Sequence, residues 1–254
     1  MTFFLYWEVK RKKVCVNSVT IHLCSDGSYG KNDYKLVVEM TCSMKFEDNS
    51  NILISGSSSS GKTTLIQRLL LHSDKMFVSP PSLILFVYNT WHDIYEQIEK
   101  NAKNIIFMEQ LPTEDELVEH TSNHKHSIFV ADDKMEELMN NKFGSDLFTR
   151  NSHHYGITTI LLLQNCSSPG KYKSNIMKNA HYSILLRSPR DFNSVRTLGI
   201  QLGDYRNLVQ CYEEATSQRW GYLCCDTHPI SDPQFRYRTN IFPDDDLNIV
   251  YKTG

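Results

Sequence analysis

The chain has 254 residues, 40% of them hydrophobic and 22% charged, with 27 Lys and Arg against 29 Asp and Glu. That is enough for one large domain, or one with a small appendage, and it excludes a disordered chain and a globally basic DNA-coating protein. The longest apolar runs, around residues 83–88 and 159–163, are far too short to span a bilayer, so no membrane is expected as a partner.

At the N-terminus an apolar start is followed at once by Glu8 and the basic run Lys10-Arg11-Lys12-Lys13. A signal peptide carries its charges before the apolar segment, so secretion is not expected. The seven cysteines are odd in number and include no C-x-x-C pair. That argues against a disulfide framework and a zinc ribbon, and fits a reducing intracellular compartment. His153 and His154 are adjacent, but no H-x-x-x-H spacing accompanies acidic ligands, so structural or surface roles are expected of them.

Residues 14–42 place Val14, Val16, Val19, Ile21 and Leu23 before the turn signal Ser25-Asp-Gly-Ser-Tyr-Gly30, and Leu36, Val38 and Met40 after it. Near-alternation around a Gly-rich turn predicts a β-hairpin. Residues 1–45 are therefore read as an N-terminal β extension.

From residue 50 apolar strands alternate with helical stretches, the pattern of an α/β fold with a mainly parallel sheet. The stretch Gly56-Ser57-Ser58-Ser59-Ser60-Gly61-Lys62-Thr63-Thr64 is a complete phosphate-binding loop, G-x-x-x-x-G-K-T, behind the strand residues Ile52, Leu53 and Ile54. The two glycines let successive N–H groups point inward at a phosphate, and the helix that follows adds its positive dipole end. Leu65, Ile66, Leu69 and Leu70 recur at helical spacing behind it. Lys62 is placed to reach the β- and γ-phosphates of ATP, and the Thr63 hydroxyl to ligate Mg²⁺.

Strands then follow over about residues 83–88 and 104–108, each trailed by a helix; Thr113-Glu-Asp-Glu116 reads as a capping box for the second. The run Ile128-Phe-Val-Ala131-Asp132-Asp133 ends a buried strand in two carboxylates, the Walker B pattern. Asp132 is placed to hold the Mg²⁺ shell opposite Thr63, and Asp133 to polarise the attacking water as general base. A helix is expected over about residues 135–151, then a strand ending Leu161-Leu-Leu163-Gln164-Asn165. Gln164 at that edge can sense the γ-phosphate or orient the water. Two strands separate the loop from the acidic pair, which suits motor-type ATPases with a strand inserted between loop strand and Walker B strand. A strand near 182–186, a helix around 191–202 and a last strand near 221–225 complete a domain over residues 46–228. Residues 229–254, with three prolines and Asp244-Asp-Asp246, are read as an irregular acidic tail.

The segment Arg150-Asn-Ser-His153-His154-Tyr-Gly-Ile-Thr-Thr-Ile-Leu-Leu-Leu-Gln164-Asn165 resembles the FtsK–HerA superfamily, in particular the genome-packaging ATPases of large double-stranded DNA viruses and of Maverick/Polinton transposons. Asn179-Ala-His-Tyr-Ser-Ile-Leu-Leu-Arg187-Ser-Pro-Arg190-Asp191 is similar to a stretch of the Maverick/Polinton members. The resemblance spans about residues 50–225. It implies a RecA-like P-loop NTPase core, three-layered, assembled as a homo-oligomeric ring that uses ATP to pump double-stranded DNA into a capsid, with capsid proteins as further partners. The wider superfamily has Glu where this chain has Asp133.

A ring motor needs an arginine reaching the γ-phosphate of the neighbouring subunit. Arg190 is the expected finger because it lies in the Pro-Arg-Asp stretch of the resemblance, and beyond the sensor strand it is expected to lie too far round the sheet edge for its own site; Arg187 and Arg150 are the alternatives. Lys171 and Lys173 in Ser168-Pro-Gly-Lys-Tyr-Lys173 form a candidate DNA-contacting loop. The alternatives to a DNA motor are a P-loop kinase of a nucleoside or other small molecule, and a non-hydrolysing nucleotide-binding remnant of a viral or transposon gene.

Overall fold

The computed structural model describes residues 8–9, 12–13, 21–23, 36–40, 45–164, 170–245 and 248–252. In chain order the strands begin with β1 (Glu8–Val9), β2 (Lys12–Lys13), β3 (Ile21–Leu23), β4 (Leu36–Met40), β5 (Asn51–Ser55), β6 (Leu83–Val87) and β7 (Ile105–Met108). They continue with β8 (Ser127–Ala131), β9 (Ile157–Leu163), β10 (Tyr182–Leu186), β11 (Tyr222–Asp226), β12 (Tyr237–Thr239) and β13 (Asn248–Lys252). The helices are α1 (Lys62–Leu71), α2 (Ser73–Met76), α3 (Asp93–Asn101), α4 (Glu114–Thr121), α5 (Met135–Asn140), α6 (Lys142–Asp146), α7 (Ser152–His154), α8 (Lys173–Lys178), α9 (Phe192–Gln201) and α10 (Tyr205–Ala215).

Strands β1 and β2 pair only with each other; the other eleven form one sheet in the order β3-β4-β13-β12-β11-β10-β5-β9-β8-β6-β7. From β10 to β7 every pairing is parallel. Strands β5, β6, β8 and β9 are buried along their whole length, as parallel strands covered on both faces must be. Alternate residues go to opposite faces. Ile52, Ile54, Phe86, Val130 and Ile160 pack with Ile66 and Leu69 of α1 and with Tyr95 and Ile98 of α3. Leu53, Leu85, Phe129, Leu161 and Leu163 pack on the other side with Leu138, Met139, Leu147 and Ile176. The result is three layers, helix on sheet on helix: an α/β fold of the RecA-like P-loop NTPase type.

The expected insertion is present, because β9 lies between β5 and β8. The Thr113–Glu116 capping box forms as expected. The expected N-terminal strands also pair antiparallel, Ile21 opposite Val38, and β4 docks on β13. The turn signal at residues 25–30 lies outside the described residues, as do Lys10 and Arg11.

Three expectations change. The helix expected over residues 135–151 is broken at Asn141, whose backbone is extended and whose side chain caps α6 by accepting from the Phe143 N–H at 3.0 Å. Gly144 sits against the Leu138 carbonyl, where a Cβ would clash, and a π-turn over Leu147–Asn151 follows. Helix α10 was not expected; its Leu208, Cys211, Tyr212 and Ala215 bury against β11 and α9. The tail expected to be irregular supplies β12 and β13 to the sheet. Its apolar residues outweigh its prolines: Tyr237, Ile241, Phe242, Val250 and Tyr251 are all buried, and burial of an aliphatic or phenyl side chain such as Ile241 or Phe242 is worth roughly 1.5–3 kcal/mol.

Candidate active site

Strand β5 delivers the phosphate loop to the carboxyl edge of the sheet, between β10 and β9. The Gly56 N–H donates to the Leu163 carbonyl at 3.1 Å, tying the start of the loop to the end of β9. A Cβ on Gly56 would lie 2.9 Å from Leu186 Cβ, so this approach needs glycine. Gly61 has φ +102°, left-handed geometry that lets the chain turn into α1, and Ser59 is also left-handed at φ +61°. Ser60 Oγ is buried without a hydrogen-bond partner.

The Lys62 ammonium folds back over the loop, donating to the Gly56 and Ser57 carbonyls at 2.7 and 3.0 Å. Burial holds its pKa below the ordinary lysine value, while Asp132 and then Asp133 pull it back up. Both carboxylates follow β8, which is separated from the loop strand β5 by the inserted β9.

Asp132 follows β8 directly and is 4% exposed. Its N–H donates to the Val87 carbonyl at 2.9 Å, and its Oδ2 accepts from Tyr95 Oη at 2.8 Å. Burial raises its pKa, the Tyr95 hydrogen bond lowers it, the neighbouring Asp133 raises it, and Lys62 lowers it. The net shift is upward, the mark of a carboxylate taken from water without full compensation. Asp133 is exposed and left-handed at φ +55°. Its Oδ1 accepts from Gln164 Nε2 at 3.1 Å, which joins the ends of β8 and β9. Left-handed backbone is tolerated by aspartate far better than by most residues, which gives a physical reason for Asp at 133.

The residues at the site fit a small hard cation beside a triphosphate. One hydroxyl from Thr63 and one buried carboxylate from Asp132 are the oxygen donors Mg²⁺ takes from a protein when phosphate and water supply the rest. The under-compensated Asp132 carboxylate, the partnerless Ser60 hydroxyl and the inward-folded Lys62 are the polar groups such a ligand would engage.

The three arginines separate. Arg187 and Arg190 follow β10, which is the neighbour of β5 and not of β9. The Arg187 carbonyl accepts from Ser57 Oγ at 3.3 Å. This stretch thus leaves the sheet beside the phosphate loop of its own chain, which corrects the expectation that it lies too far round the edge. Both side chains are exposed. Arg150 is paired with Glu114 at 3.1 Å and Asp146 at 3.6 Å. Lys171 lies near α8, its ammonium 5.1 Å from the Tyr172 ring centre, and Lys173 opens that helix; residues 165–169 are outside the described residues.

Tyr95 is a site residue that sequence reasoning missed. The signal was the aromatic run after β6: Tyr88, Trp91 and Tyr95 pack on one another and on Phe107. No helix among the described residues is long and apolar enough to cross a membrane.

No protein-family model matches the chain, and no curated protein is significantly similar to it. Among solved structures it is similar to the genome packaging NTPase B204 from Sulfolobus turreted icosahedral virus 2 in complex with ATP-gammaS, at 12% identity, covering 80% of this chain and 96% of that one, TM-score 0.46. It is likewise similar to B204, the DNA-packaging ATPase from Sulfolobus turreted icosahedral virus, at 14% identity over 82% of this chain and 100% of that one, TM-score 0.46. A third similar structure is EssC (ATPases 2 and 3) from Geobacillus thermodenitrificans, at 13% identity over 80% of this chain and 39% of that one, TM-score 0.42. The chemistry of the site follows from its own residues.

Proposed function

We propose that the chain is an ATP-hydrolysing motor subunit that works in a homo-oligomeric ring on double-stranded DNA, moving it into a capsid. The observation that carries the hydrolytic reading is the Gln164–Asp133 hydrogen bond of 3.1 Å on the strand inserted beside the phosphate loop. A carboxylate held by an amide at the γ-phosphate end of the loop is a device for positioning water. A kinase must instead exclude water there, so the arrangement favours a hydrolase over a nucleoside kinase.

In this reading the N–H groups of residues 56–64 cradle the phosphates, and Lys62 leaves its two loop carbonyls for the β- and γ-oxygens. Thr63 and Asp132 would hold Mg²⁺, which supplies charge neutralisation on the phosphate oxygens when bound. Asp133 accepts a proton from the attacking water as its oxygen bonds to the γ-phosphorus. The bond from that phosphorus to the bridging oxygen breaks, and ADP and phosphate leave. Arg190 stabilises the charge of this transition state at a neighbouring subunit's site. The DNA and ring assignments draw on the motif resemblance at residues 150–165 and 179–191, with Lys171 and Lys173 as candidate DNA contacts.

The deciding experiment is a steady-state ATPase assay on the purified chain, with and without double-stranded DNA. Hydrolysis stimulated by DNA is expected. Phosphate transfer to an added nucleoside would replace the motor by a kinase, and binding without turnover would leave only the nucleotide-binding reading.

A further inference from the structure

Next to the phosphate loop lies a cavity of about 500 Å³ whose lining includes Thr64, Arg68, Leu186, Trp220, Tyr222 and Phe242. Residues 61–65 form one of its walls, so a triphosphate seated in the loop directs the rest of its molecule there. The size suits a nucleoside, since small-ligand pockets run to about 300–1,000 Å³.

Two features of this cavity are unexplained by phosphate chemistry. Trp220 is 60% exposed and sits in left-handed backbone at φ +63°. An indole left in water and held in a conformation that bulky residues avoid is costly on both counts. It is also placed closely: a Cβ on Gly61 would lie 3.3 Å from Trp220 Cδ1, and the Arg219 guanidinium stands 4.3 Å from the ring centre.

The other aromatic wall is built from far along the chain. Phe242 lies under the Arg68 guanidinium at 4.3 Å and 6.1 Å from the Tyr222 ring. Arg68 is fixed by Asp244 at 2.7 Å and Asp245 at 2.8 Å, which fasten the C-terminal segment to α1. The acidic residues 244–245 thus hold in place Arg68, which lines the cavity with Phe242.

We propose that Trp220 is the platform on which the base of a bound nucleoside triphosphate stacks, enclosed by the wall of Thr64, Arg68 and Phe242. Stacking would bury the exposed indole and offset the strain at residue 220. Stacking accepts any base, because every base has a π-face. Arg68 is committed to two carboxylates, and Tyr222 Oη already accepts from the Ile241 N–H at 3.0 Å. The proposal rests on the phosphate loop being the nucleotide site.

Calorimetric titration with Mg-ATP and with Mg-tripolyphosphate, which carries the phosphates and no base, tests it. Trp220→Ala should weaken ATP binding by about 5- to 150-fold, the range that base–aromatic stacking supplies, and leave tripolyphosphate affinity unchanged. Trp220→Phe, which keeps a π-face, should retain most of the ATP affinity and guards against a folding artefact in the alanine variant. An alanine variant that binds ATP like the parent overturns the proposal. So does equal weakening for both ligands, which would make the indole a prop for Gly61. A parent protein that binds neither ligand would overturn the phosphate-loop reading itself, and the proposal with it.

Discussion

Tyr95 reaches from α3 to donate a 2.8 Å hydrogen bond to the Asp132 carboxylate, so the innermost acid of the site is aimed by a helix whose core contacts it shares with α1. That bond favours the ionised form of a carboxylate which burial otherwise pushes toward protonation. Tyr95→Phe should therefore move the acid limb of Mg²⁺-dependent nucleotide binding to higher pH. It should weaken Mg²⁺ affinity by about 10- to 100-fold, as loss of a ligand-orienting partner does. Mg²⁺ titrations at several pH values read this directly; an unmoved limb would leave Tyr95 a packing residue only.

The same burial makes a prediction about stability. The Asp132 pKa is raised on folding, so below the unfolded value of about 3.9 the group is neutral in both states and carries no penalty. As pH rises through the folded pKa the penalty develops in full. Without ligand, Asp132→Asn should thus match the parent's melting temperature in acid and exceed it near neutrality, while losing Mg²⁺-dependent binding. Thermal melts across pH test the sign, and a variant less stable at neutral pH would contradict it.

Asp133→Asn isolates charge. Asparagine tolerates the left-handed backbone at 133 and can still accept from Gln164, so geometry survives while basicity is lost. Nucleotide binding should persist with turnover down about 10²- to 10⁴-fold. If binding fell as far as in Asp132→Asn, the roles of the two carboxylates would have to be exchanged.

Lys62→Ala should abolish hydrolysis and weaken nucleotide binding with the fold intact. Its hydrogen bonds go to two carbonyls of its own loop, not to the core. The charge it brings to the β- and γ-phosphates counts most in the transition state. Circular dichroism should be unchanged, and parental turnover by this variant would refute the site.

Arg190 is exposed on the turn after β10, and in the proposed head-to-tail ring it would be offered to a neighbouring subunit. Mixing inactive Arg190→Ala with inactive Lys62→Ala should restore part of the ATPase, because some interfaces then join an intact loop to an intact finger. Mixed rings as inactive as their components would shift the role to Arg187, whose carbonyl already touches the loop.

The phosphate loop, the acidic pair and the inserted strand were legible because each is a local pattern: apolar residues in sequence, then a few polar ones at a strand end. The Gln164–Asp133 contact was not read from the sequence; it depends on β8 and β9 lying side by side in the sheet. The aromatic run of Tyr88, Trp91 and Tyr95 was visible, but its tie to Asp132, 37 residues on, was not, and no local pattern announced Trp220 and Phe242, which reach the loop only through tertiary packing. The tail was misread because its prolines and aspartates stand out more than its spaced aromatics, and those carry the burial. Arg190 was misplaced because sequence order put β10 after the sensor strand, whereas in space it flanks β5 on the opposite side.

Strand β5 has no early neighbours. Ile52 pairs with Ile160 on one side and Tyr182 on the other. A chain emerging from the ribosome therefore carries an intact loop motif on a strand with both edges bare for more than a hundred residues. Such non-local pairing folds slowly and leaves apolar edges open to other chains. Fragments ending before β10 should collect in aggregates, and nucleotide should protect only chains long enough to have closed that gap.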